Sequence, residues 1–114
     1  MANLKDFYGS VKLKIENGAI KDYYGSTKYY IRGNKITDYY GRNLYSIDGT
    51  YIKDFYGRIL LKISGNRLQD YYGKNLATFD SSIIKDYYGS ILYRIDGSLS
   101  TNDLYALLAV LFAE

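Results

Sequence analysis

The chain has 114 residues, room for one domain and one core. It is 47% hydrophobic and 24% charged, a globular balance that speaks against disorder, and its net charge of +3 is milder than the clustered basic excess of nucleic-acid binders. With no Cys and no His, disulfides, thiolate metal sites, cysteine nucleophiles, the commonest zinc ligand and the commonest general base are all excluded.

In chain order, Met1 to Lys5 lacks the apolar stretch of a signal peptide, so a soluble, cytoplasmic protein is expected. Then a repeat takes over. The tetrapeptide Asp-(Phe/Tyr)-Tyr-Gly begins at Asp6, Asp22, Asp38, Asp54, Asp70 and Asp86, always 16 residues apart. With each Asp as position 1, position 3 is always Tyr and position 4 always Gly. Position 10 is Ile except for Phe79, and position 15 is Ile or Leu. A second glycine falls at position 12 in Gly33, Gly49, Gly65 and Gly97; the first repeat moves it to Gly18, and the fifth has Ser81 there.

Asp opening a β-turn and Gly closing it is sound turn chemistry, and Gly-Asn suits a two-residue hairpin loop. The segments between are rich in Ile, Tyr, Leu and Thr, which favour strands. Each repeat therefore reads as strand, Asp-Tyr-Tyr-Gly turn, strand, glycine turn, giving about a dozen strands of roughly four to six residues over 1–98. Positions 8, 10 and 15 share one apolar face. The fold class is all-β: an antiparallel β-hairpin meander that curls or closes, or a β-solenoid with one repeat per rung.

At Ser98 the periodicity changes. Ser100 with Asp103 three residues on resembles a capping box, and Leu104 to Ala113 are good helix formers, apolar on nearly every side. Residues 99–114 are expected to form a helix that packs on the sheet or on a partner chain. Position 7 offers a seat on the second face, being Lys12 and Lys28 first, then Leu44, Leu60, Leu76 and Leu92. Leu104, Leu107, Leu108, Leu111 and Phe112 would pack there, and uncovered apolar surface would drive self-association, a homodimer before larger assemblies.

The chemistry-bearing candidates are few. The six aspartates read as turn residues before they read as cation ligands or acid–base groups. The twelve aromatics at positions 2 and 3, with Tyr23, Tyr39, Tyr71 and Tyr87 as the position-2 tyrosines, could form a ladder stacked from repeat to repeat. Beside Arg42 and Arg58 that ladder could hold a glycan, or less favourably a single-stranded nucleic acid. No phosphate-binding loop, metal-ligand spacing or catalytic triad is present, so no catalytic residue, metal or cofactor is expected.

The stretches from Asp38 to Gly49 and from Asp86 to Gly97 resemble the repeat of a group of uncharacterised, mainly bacterial proteins, roughly Tyr-Asp-x-Tyr-Gly-Asn-x-Ile-Tyr-x-Ile-x-Gly. Thr37 and Lys85 stand where that pattern has Tyr. The resemblance covers nearly the whole chain and implies β-hairpin repeats closed by a short apolar helix; it implies no activity. The expected function is a non-enzymatic structural or protein-interaction module that self-associates through its sheet face and C-terminal helix, with glycan binding on the tyrosines as the alternative.

Overall fold

A computed structural model describes residues 2–113. Six strands make up the first half: β1 (Ala2–Asp6), β2 (Val11–Glu16), β3 (Ala19–Asp22), β4 (Thr27–Arg32), β5 (Lys35–Asp38) and β6 (Asn43–Asp48). Six more follow: β7 (Tyr51–Asp54), β8 (Ile59–Ser64), β9 (Arg67–Asp70), β10 (Asn75–Phe79), β11 (Ile83–Asp86) and β12 (Ile91–Gly97). A helix, α1 (Thr101–Phe112), ends the chain. Each strand pairs antiparallel with the next, and β12 returns to β1 with Ala2 opposite Gly97 and Leu4 opposite Ile95. Of the two arrangements the repeat left open, the hairpin meander is the one formed. It closes into a twelve-stranded barrel that measures 35 × 35 × 21 Å overall.

The two kinds of turn collect at opposite rims. In each Asp-Tyr-Tyr-Gly turn the Gly N–H donates to the Asp carbonyl, as Gly57 does to Asp54 at 3.1 Å. The glycine sits at φ near +87°, a conformation that L side chains adopt only at a cost. At the other rim, Gly33, Gly49 and Gly65 take positive φ at the first central position of a two-residue loop. The first repeat differs because Asn17 (φ 49°) and Gly18 (φ 75°) are both left-handed, so its glycine moves one place along. The fifth needs no glycine. The Asp80 carboxylate accepts from the Ser82 and Ile83 N–H groups at 2.7 and 2.8 Å and closes the loop itself.

Position 7 carries the curvature. Ile52 lies opposite Leu61 and Lys53 opposite Ile59, so Leu60 has no partner and forms a β-bulge. The same slip leaves Lys12, Lys28, Leu44, Leu76 and Leu92 unpaired in the other five hairpins. Six bulges near one rim bend the strands and help the sheet close. The leucines are thus bulge residues rather than a stripe on a regular second face. Alternation, which would set them opposite position 8, fails at a bulge because one residue is extra. Leu60 and Leu76 flank the core, while Leu44 and Leu92 are half-buried.

An eight-stranded barrel is just filled by its own side chains; twelve strands enclose more space than that. Here α1 occupies it. Ala106, Leu107, Leu108, Ala109 and Val110 are all buried, and five successive helical residues at 100° intervals face every direction. They share one core cluster with position 15 from all round the wall: Leu4, Ile20, Ile36, Ile52, Leu68 and Ile84, each 0% exposed. The helix therefore packs inside its own barrel, chiefly on the face formed by positions 8, 10 and 15, with Leu60 and Leu76 of position 7 bordering the same cluster. Leu104, Leu111 and Phe112 border the same cluster. Ser100 is the N-cap, accepting from the Asp103 N–H at 3.1 Å as its sequence position implies. No described helix is long and apolar enough to cross a membrane.

Candidate ligand-binding rim

All six Asp-Tyr-Tyr-Gly turns lie on one rim, so the fold brings together the position-2 and position-3 aromatics. Each turn is built from its aspartate upward. The Asp54 Oδ1 atom accepts from the N–H groups of Tyr56 and Arg58, both at 2.9 Å. The other five turns repeat this pair of bonds at 2.9–3.0 Å. With the chain reversal secured by backbone, aspartate and glycine, the two intervening side chains project outward.

The rings pair within a turn. Position 2 meets position 3 edge to face, with centroids 5.2–5.5 Å apart and interplanar angles of 75–80°. Among the described residues the ring pairs form inside turns, whereas the expected ladder would have stacked rings from one repeat to the next. Tyr23, Tyr39, Tyr71 and Tyr87 are 57–62% exposed. The position-3 tyrosines, counted with position 2 among the twelve candidate aromatics, are more exposed still, at 79–89%. Position 3 is always Tyr, while position 2 tolerates Phe7 and Phe55.

Grooves run between adjacent turns. One of about 600 Å³ is lined by Asp54, Gly57, Arg58, Ile59, Leu60 and Tyr71. Here the bulge residue and its neighbour supply the apolar floor, and the next repeat's Tyr71 supplies a wall. An equivalent groove of about 570 Å³ joins Ser10, Val11 and Lys12 to Tyr23 and Tyr24, and another of about 450 Å³ joins Arg42, Asn43 and Leu44 to Phe55 and Tyr56. Both predicted arginines therefore sit at groove edges. Arg42 Nε donates to Asp38 Oδ2 at 2.8 Å and Arg58 Nε to Asp54 Oδ2 at 3.1 Å. The Arg58 guanidinium also lies 5.6 Å from the Tyr56 ring centroid.

The electrostatics follow from the turns. The Ser10 N–H and Lys12 hold the Asp6 carboxyl below the ordinary carboxylate range. The N–H and guanidinium of Arg42 do the same for Asp38, and those of Arg58 for Asp54. These groups stay ionised and serve as acceptors for their own turns. Among the described residues no group of three or more acids is arranged to hold a metal ion. Comparison with protein-family models, curated proteins and solved structures finds no match to this chain.

Proposed function

We propose that the chain is a non-enzymatic binding module whose contact surface is the aromatic rim. One observation carries this reading. Twelve rings stand exposed at positions where backbone, aspartate and glycine already satisfy the turn. Exposed aromatic surface that the fold does not require is a mark of an interaction site. The turn aspartates are engaged by their own turns' N–H groups, and the lowered carboxyls of Asp6, Asp38 and Asp54 make those three unsuited to act as general acids.

Self-association remains the second reading, now through the rim. The sheet face and helix expected to mediate it point into the lumen, and a partner reaching them would have to open the barrel. Replacing the six position-3 tyrosines together by Ser tests the main reading. The variant is expected to keep a cooperative melt and a native-like amide spectrum, losing no more stability than six exposed ring pairs supply. Loss of the fold would make the rings structural and remove the basis of the proposal. Light scattering on both proteins tests the second reading: it holds if the parent is a dimer and the variant a monomer.

A further inference from the structure

The rim's charge and groove chemistry narrow what it would take. We infer that the inter-turn grooves bind a neutral glycan chain, with sugar rings against the position-2 aromatics and hydroxyls on the position-5 cation and turn aspartate. This inference rests on the rim being a binding surface.

Charge separates the candidates. Positions 5 and 7 place five cations at this rim, Lys12, Lys28, Arg42, Arg58 and Lys74, and Lys62 reaches it with Nζ 6.0 Å from the Tyr71 ring centroid, so six cations stand against the six turn aspartates. Arg42, Arg58 and Lys12 are moreover ion-paired to the aspartates of their own turns, at 2.8, 3.1 and 3.6 Å. A polyanion gains affinity from unneutralised cations that displace its counterions, and this rim has no cationic excess. A neutral, hydroxyl-rich ligand carries no such requirement.

Groove shape agrees. A pyranose presents an apolar C–H face and an edge of hydroxyls. The groove at Arg58 offers the matching pair: an aromatic wall in Tyr71 over the floor of Ile59 and Leu60, and a polar edge in Arg58 and Asp54. The Arg58 side chain is 76% exposed, and Asp54 holds it by Nε alone, which orients the guanidinium and leaves its Nη donors for hydroxyls. Because like grooves recur round the rim, a polymer can engage neighbouring grooves at once and gain avidity that one sugar cannot.

The test uses amide NMR spectra of the whole chain titrated with cellohexaose, chitohexaose, maltohexaose and xylohexaose, each to millimolar concentration. Oligothymidylate serves as the anionic comparison. The expected result is that at least one hexasaccharide shifts the signals of Gly57, Arg58 and Tyr71, weakly dependent on salt. Tyr71→Ala should then weaken that binding about three- to tenfold, the scale of one aromatic contact, while Tyr71→Phe retains it. If no hexasaccharide moves these signals, or if Tyr71→Ala binds as well as the parent, the glycan assignment is overturned. Rim shifts with oligothymidylate alone, lost steeply with salt, or with rising protein concentration alone, also overturn it but leave the rim as a binding surface. A rim that responds to nothing removes both.

Discussion

The side-chain amide of Asn102 donates to the Gly33 carbonyl at 2.7 Å, joining residues 69 apart in the chain. Gly33 belongs to the rim where β12 ends, so this bond fixes the first turn of α1 against the far side of the barrel mouth from which the chain enters. Asn102→Ala should cost about 0.5–1.5 kcal/mol, the net worth of one such bond. Urea unfolding would show a lower midpoint with an unchanged slope.

The helix carries a far larger share of stability. Leu108→Ala, at a side chain that is 0% exposed, should cost about 2–5 kcal/mol. Leu60→Ala, at a half-buried bulge, should cost less than half as much. A chain ending after Ser98 should fail to form a cooperative barrel, because its lumen would be a large apolar void. Binding of a hydrophobic dye and loss of the near-ultraviolet tyrosine signal would show this; a sharp two-state melt would contradict it.

Gly57→Ala isolates backbone conformation from packing. An added Cβ there meets nothing within 4 Å, yet φ is +86°. The expected cost is about 1–2 kcal/mol from the left-handed backbone alone. Gly18→Ala should cost more, since its Cβ would also lie 3.2 Å from the Ile31 carbonyl oxygen. Equal losses at the two sites would argue against the close approach at Gly18.

Acid sensitivity should follow the turn aspartates. The Ser10, Arg42 and Arg58 N–H groups lower the carboxyls of Asp6, Asp38 and Asp54, and the Ser82 N–H lowers that of Asp80. A carboxyl lowered in the folded state stabilises fully above its unfolded value of about 3.9, and that contribution is lost as pH falls through the folded value. Melting temperature should be flat from about pH 7 to 5 in this respect and fall below about pH 4. Converting Asp6, Asp38 and Asp54 together to Asn should flatten the acid limb, as Asn keeps an oxygen for the N–H groups without titrating.

Much of this was legible in the residues. Turn positions followed from Asp and Gly at constant offsets, the inward face from alternation at positions 8, 10 and 15, and the helix cap from Ser100. Two things were not. Leu60 and its equivalents were assigned a face by counting alternately along the strand, and a bulge breaks that count without changing composition. Closure depends on β1 finding β12, a pairing of Leu4 with Ile95 that no local pattern encodes. Once the sheet closes, an apolar surface that would have called for a partner becomes an interior, and the helix that would have covered it becomes its filling. The rim aromatics were legible at positions 2 and 3 alike, but the greater exposure of position 3 depends on how the turn projects.

Closure also constrains copy number. A tandem array with free ends can gain or lose units over evolutionary time with little effect on the others. Here a seventh hairpin would leave the ring too wide for one helix to fill, and a ring of five hairpins would be too narrow to hold it. Duplication and deletion are therefore gated by one helix, and the six units diversify by substitution within a fixed volume. The fifth unit carries such a trade: Phe79 replaces the Ile of its siblings, and two residues away on the same inward face Ala77 stands where the others have Leu or Tyr.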